Sequence, residues 1–295
     1  MAGGAGADSM YGGDGADTMD GGDGADTMDG GDGADTMDGG DDDDYLSGGA
    51  GMDSMLGGAG DDIIDGGSDD DKIWGQDGND SITGGDGNDW LGGGAGADTI
   101  DGGADDDTIK GDGGADTLDG GAGNDLLYGG ADDDVMHGGN GDDTFTDTEG
   151  DNWFHGENGD DTFTVGTAAQ YSVIFGGYGT DTLRLAGSSS DWTVTYMVTH
   201  HEIVVGYVKD TAIYDTRTVG WAQYKVTNGQ VILDIVDVEK LHFIGSGTTT
   251  VFDNIFASTI HEDTYLTPRD VPGYFNPSSS SEGHDLWSSV RSFTT

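Results

Sequence analysis

The chain holds 295 residues, of which 59 are glycine and 59 are acidic against nine basic, giving a formal charge of −50 with no cysteine. That balance argues against nucleic acid or anionic membrane as partners, since phosphate recognition needs clustered Lys and Arg; it also leaves neither disulfides nor thiolate metal sites. No basic-then-apolar leader opens the sequence, and no stretch is long and apolar enough to span a bilayer as a helix.

The N-terminal half is one nine-residue phrase, written sixteen times from Gly3 to Phe145 without insertion or deletion. Gly21-Gly22-Asp23-Gly24-Ala25-Asp26-Thr27-Met28-Asp29 is a representative copy. Glycine opens every copy, and the second residue is glycine except at Gln76 and Asp112; the sixth is always aspartate and the eighth always apolar, from Met10 to Phe145. So short a fixed period rules out helix-pair repeats and predicts a solenoid of β-coils. Three residues around position eight are expected to form a short strand, with position eight inward and positions seven and nine outward. The other six would turn the chain, aided by glycines at positions one, two and four, and the aspartate would face a stack of carbonyls. Met1 and Ala2 fall in register as positions eight and nine of a preceding copy, so the terminal cap that solenoids normally need is missing from this end. A longer parent protein, a covering subunit or fraying of the first coils would each account for that.

The phrase Gly-Gly-x-Gly-x-Asp-x-apolar-x resembles the nonapeptide of the RTX calcium-binding repeat family over about half of the chain. The resemblance implies a right-handed parallel β-roll, two nonapeptides to a coil, with calcium (Ca2+) held between a loop and the loop two copies later. The ligands it implies are the sixth-position aspartates Asp8, Asp17, Asp26, Asp35, Asp44, Asp53, Asp62, Asp71, Asp80, Asp89, Asp98, Asp107, Asp116, Asp125, Asp134 and Asp143, with Asp161 and Asp181 from later copies. Hard cations take six to eight oxygens, which carboxylates and the carbonyls of glycine loops can supply. Charge leads the same way. Residues 1–164 hold 45 acids against only Lys72 and Lys110, a balance of −43, and so dense a charge does not compact unaided. Sixteen loops in two columns leave gaps for roughly fourteen divalent ions, which makes the metal part of the fold.

Copies two to four are nearly identical; later ones drift, and position four becomes Asp42, Asp69, Asp105 and Asp132. The inward row changes from Met to Ile and Leu and ends in Phe145, Phe154 and Phe163, so the core is expected to thicken toward its C-terminal end. Two decayed copies follow at 147–155 and 156–164, with Asn152 in place of the first aspartate and Asp161 in the second. The phrase returns once more at 176–184. From Trp192 the pattern is alternating and β-branched, predicting strands at 193–198, 203–205, 224–226 and 231–235 with a turn at Asn228-Gly229. Val236-Asp237-Val238-Glu239-Lys240-Leu241-His242-Phe243 resembles the phrase that closes RTX arrays in secreted proteins, which implies a capping role. The tail from about Ser258 contains all three prolines and Ser278-Ser279-Ser280-Ser281, a linker composition. Leu286, Trp287, Val290 and Phe293 beyond it have helix-like spacing. They read either as the type I secretion signal that the resemblance implies or as a short helix docked on the cap.

Catalytic signals are missing. His200, His201 and Glu202 approach a zinc-protease motif, but Val205 stands where the second histidine belongs. His137, His155, His242, His261 and His284 are scattered, and no G-x-S-x-G, P-loop or cysteine nucleophile occurs. No enzyme is expected within this chain. One surface pattern stands out: sorted by copy parity, the large outward side chains Leu56, Trp74, Trp90, Leu126 and Tyr128 all fall on even copies, against Tyr11, Tyr45, Ile63 and Val135 on odd ones. The even sheet is therefore a candidate surface for self-association or a partner domain.

The sequence thus reads as all-β: a parallel β-roll over 1–164, a β-rich capping region over 165–257, and a tail over 258–295 with a candidate secretion signal. The expected protein is secreted or on the cell surface, exported unfolded by type I secretion machinery and folded by external calcium, with a structural, surface or adhesive role. The alternative is the calcium-binding, secretion-directing portion of a larger secreted protease, lipase or cytolysin.

Overall fold

The computed structural model describes residues 1–147, 149–166 and 171–186, and seven strands beyond them: Thr193–Met197, Val204–Val208, Thr211–Tyr214, Gln223–Thr227, Ile232–Val236, Lys240–Gly245 and Thr248–Asp253. The described residues contain strands and turns and no helix. Strands from alternate copies stack side by side. Ala2–Ala5, Thr18–Asp23, Thr36–Asp41 and their successors make the first sheet; Ser9–Asp14, Thr27–Asp32, Tyr45–Ala50 and theirs make the second. Each sheet has 13 strands, and the result is a parallel β-solenoid of about ten turns. Ile82 pairs with both Ile64 and Ile100, which are 18 residues apart from it on either side, so one turn consumes two copies.

The strands from Ser9–Asp14 to Val135–Asn140 are six residues long, not the three expected. Ser81–Asp86 pairs with Thr99–Ala104 through positions seven to nine and again through positions two and three of the next copy. The chain therefore bends within the strand instead of after it. The bend is made at position two, where Gly85 has φ 116°, and hydrogen bonding resumes beyond it. Where position two is not glycine, the side chain still follows: Gln76 has φ 83° and Asp112 φ 70°. The position-four aspartates do likewise, with φ between 75° and 79° at Asp42, Asp69, Asp105 and Asp132. These angles lie close to the left-handed region, where Asp and Asn are the most tolerated of residues bearing a Cβ. The loops that lost a glycine keep its conformation.

The position-eight row forms the core, buried from Met19 to Phe163 and joined by Val165, Ile174 and Leu183. A single buried side chain per copy contributes about 1.5–3 kcal/mol, little beside the entropy of ordering nine residues, so the core alone does not fold the coil. It does thicken as expected. Phe145 stacks on Phe163 at 4.8 Å, and Phe154 meets both edge-on at 6.1 and 6.2 Å. The opposite end is thin: Met10 is only partly buried and the strand Ala2–Ala5 is exposed throughout.

Past residue 166 the two sheets continue. Tyr171–Tyr178 and Thr182–Ala186 add the next strands, and Ile232–Val236 and Lys240–Gly245 pair with them in parallel. Lys240, Leu241, His242 and Phe243, the end of the phrase at 236–243, thus lie in a strand that prolongs the first sheet. Antiparallel strands then finish both edges: Thr248–Asp253 on the first, Gln223–Thr227 and Thr193–Met197 on the second. Thr211–Tyr214, paired with Val204–Val208, and Thr248–Asp253 had no counterpart in the sequence reading. The Asn228-Gly229 turn, His200, His201, Glu202 and the whole tail at 258–295 lie outside the described residues.

Candidate calcium-binding columns

Each loop between strands ends at the sixth-position aspartate, and the coil repeat places every one beside its counterpart two copies on. Position seven begins the strand, so position six is held by the strand ladder on one side and by the tight glycine turn on the other. The backbone N–H of Asp62 donates to Asp80 Oδ1 at 2.9 Å, and that of Asp80 donates to Asp98 Oδ1 at 2.8 Å. The same bond links Asp8 to Asp26 and Asp143 to Asp161, giving one column along each edge of the coil. One carboxylate oxygen of each aspartate from Asp26 to Asp143 is thereby used.

The second is not. Oδ2 of Asp8, Asp26, Asp35, Asp44, Asp53, Asp62, Asp71, Asp80, Asp89, Asp98, Asp107, Asp116, Asp125, Asp134, Asp143 and Asp161 is buried and accepts no hydrogen bond. Leaving a buried carboxylate oxygen unmatched costs several kcal/mol, and here it recurs along the whole array. Position one explains where these atoms point. A Cβ added to Gly66 would meet Asp71 Oδ2 at 2.5 Å and the carbonyl oxygen of Gly84 at 2.6 Å. Apart from those at Gly93, Gly129 and Gly138, each cradle of the regular copies gathers a glycine without side chain, a carboxylate of its own copy and a carbonyl from two copies on. Asp17, in the second copy, is partly buried and is not among the orphaned oxygens. Asp181 continues the ladder by accepting the Asp161 N–H at 3.0 Å.

Without a counter-cation the sixth-position carboxyls from Asp44 to Asp143 resist ionisation. Burial, opposed by the backbone N–H and reinforced by neighbouring carboxylates, pushes Asp62, Asp71 and Asp116 up to about 7 and Asp107 and Asp143 up to about 8. Desolvation is the largest cause in every case. Among the described residues no three His, Asp or Glu side chains converge on one point. A cradle with one carboxylate and carbonyl oxygens suits a hard cation of high coordination number and does not suit zinc or copper.

A second ladder runs outside the first and was not foreseen. Position-five side chains accept N–H groups in the opposite direction: Asn88 N–H donates to Asp70 Oδ1 at 2.9 Å, Asp106 N–H to Asn88 Oδ1 at 3.1 Å, and Asn124 N–H to Asp106 Oδ1 at 2.7 Å. The alternation of Asp and Asn in every second copy could have signalled it. These groups are exposed, and the Asn88 backbone N–H and side-chain amide hold Asp70 below its usual range.

The predicted even-copy surface is real as an arrangement. Leu56 pairs with Trp74, Trp74 with Gly92, Gly92 with Lys110 and Lys110 with Tyr128 on the first sheet. Lys110 Nζ lies 4.9 Å over the Trp90 ring and 5.6 Å over Tyr128. From Ser54 to Arg184 the outward positions seven and nine of this sheet carry no acid but do carry Lys72, Lys110 and Arg184. On the second sheet the scattered His137 and His155 turn out to be stacked, with ring centroids 4.6 Å apart, and Phe175 continues the stack at 4.8 Å. His137 Nδ1 also meets Glu157 Oε1 at 3.3 Å.

A parallel solenoid with glycine-lined carboxylate columns on both edges is a β-roll of the calcium-stapled class. The RTX calcium-binding nonapeptide repeat model matches in overlapping segments from residues 1–28 through 137–167. The chain belongs to that family, and its repeats bind calcium. None of the curated proteins compared with it matches.

Proposed function

We propose that this is a secreted protein that stays disordered where calcium is scarce, leaves the cell through type I machinery and folds on meeting external calcium. The observation that carries the reading is the row of buried Oδ2 atoms with no hydrogen-bond partner, repeated in both columns. The ligands are the sixth-position aspartates from Asp8 to Asp143, with Asp161 and Asp181, each joined by glycine carbonyls; roughly fourteen ions fill the sixteen regular loops. Residues 1–164 form the ion-stapled roll, 165–257 close it, and 258–295 carry the export signal. The protein serves as a structural or adhesive surface component, self-associating through the acid-free face around Trp74 and Trp90. That face is the choice for contact because a second copy of so acidic a chain can approach there without opposing carboxylates. Circular dichroism during a calcium titration of the intact chain tests the coupling: little β signal is expected in excess chelator and a cooperative gain on adding calcium. A chain equally β-structured in chelator at neutral pH would overturn it.

A further inference from the structure

The column that contains Asp116 and Asp134 ends differently from its neighbour. Its next two members are Asn152 and Ser172, which continue the ladder: the Asp134 N–H donates to Asn152 Oδ1 at 2.9 Å, and the Asn152 N–H donates to Ser172 Oγ at 3.2 Å. The other polar atom of Asn152 is an amide nitrogen, which donates to the Glu149 carbonyl at 2.6 Å. Position six of that copy therefore offers a cation no carboxylate.

A carboxylate arrives from elsewhere in the same copy. Asp147 stands at position one, where all sixteen regular copies have glycine. Its side chain turns inward, with only 2% of the residue exposed, and its Oδ1 accepts the Glu149 N–H at 3.1 Å, which fixes its direction. Its Oδ2 and that of Asp134 converge on the cradle at Gly129: both crowd the place a Cβ would take there, Asp134 Oδ2 at 2.5 Å. Asp134 is fully buried, and its Oδ2 accepts no hydrogen bond. In the regular cradles the corresponding neighbour is a glycine carbonyl; here it is a second carboxylate.

We infer that Asp134 and Asp147 together form a terminal divalent-cation site, which closes this column with two carboxylates where every regular cradle has one. Two carboxylates match the charge of a divalent ion, and affinity in oxygen-ligand sites rises with the number of charged ligands. The site should thus fill first and empty last, next to the aromatic end of the core. The inference rests on the calcium reading above, and the two can fail separately.

The test is bound calcium, measured by elemental analysis on the intact chain dialysed against a series of free-calcium concentrations, for wild type, Asp147→Gly, Asp147→Asn and Asp134→Asn. Wild type should retain an ion at free calcium about tenfold below that which empties the other sites, and all three variants should lose that ion first while holding the rest. Asp147→Asn preserves side-chain shape should the glycine variant fail to fold. Unchanged retention in both Asp147 variants overturns the inference and leaves the calcium reading intact. A wild-type chain that takes up no calcium at any concentration overturns both.

Discussion

At the scale of the residue, the inner and outer carboxylates of one loop behave as different chemical groups. Asp70 is exposed and its ionised form is held by donors from Asn88, whereas Asp71 beside it is buried and pushed up to about 7. Calcium resolves the inner group's difficulty, and a proton does so too. For a carboxyl whose folded value lies above its unfolded value near 3.8, the folded state binds more protons, so its contribution is complete below about 4 and is lost as pH rises through the folded value. With inner carboxyls such as Asp44, Asp107 and Asp143 pushed up to between about 6 and about 8, the metal-free chain should gain β structure as pH falls from 8 toward 4. Circular dichroism in chelator across that range measures it. The calcium midpoint should shift upward over the same range, because protons and cations compete for one oxygen. A metal-free signal that does not change with pH would contradict the burial of these groups.

At the scale of the element, the sequence made the period, the inward row and the parity of the two sheets legible, because each is a direct consequence of a repeat without insertions. The six-residue strand was not legible. Pattern reasoning assigns Gly-Gly to turns, yet the stacked copies supply ladder partners to Gly85 as readily as to Ile82. Asp147 was hidden for the opposite reason: in a decayed copy an aspartate at a glycine position looks like drift, and only the packing against Gly129 and Asp134 gives it a place. Parity alone locates the even-copy face, whereas the place of Lys72 and Lys110 on it follows from the strand register. Trp90 is 43% and Leu126 38% exposed on an otherwise acidic molecule, so changing Trp74 and Trp90 to Ser should weaken self-association without altering calcium-induced folding. Sedimentation in saturating calcium decides it, with a lower mass expected for the double variant. Equal masses for the two proteins would remove this face from consideration.

At the scale of the whole molecule, a solenoid is a one-dimensional stack in which each coil is stabilised by its neighbours, so the ends decide where order begins. The two ends here differ. In the early copies the inward row is one methionine per copy, Met19, Met28 and Met37. At the other end, Phe145, Phe154 and Phe163 interlock and the sheets run on into Tyr171–Tyr178 and Thr182–Ala186. Order should therefore start at the aromatic end and propagate toward Met1 as successive cradles fill. Truncating a fully buried aromatic costs about 3–5 kcal/mol, and a methionine about 2–5 kcal/mol where its surroundings are rigid. If propagation is directional, Phe154→Ala should raise the calcium concentration needed for folding of the entire roll. Met19→Ala, near the thin end, should loosen only the first coils and leave the midpoint almost unmoved. Hydrogen exchange in calcium provides the spatial readout: protection lost along the whole array in Phe154→Ala, and confined to the copies nearest Met1 in Met19→Ala. The reverse pattern would place the start of order at the acidic, uniform coils, where a buried core is thinnest and the charge to be neutralised is densest.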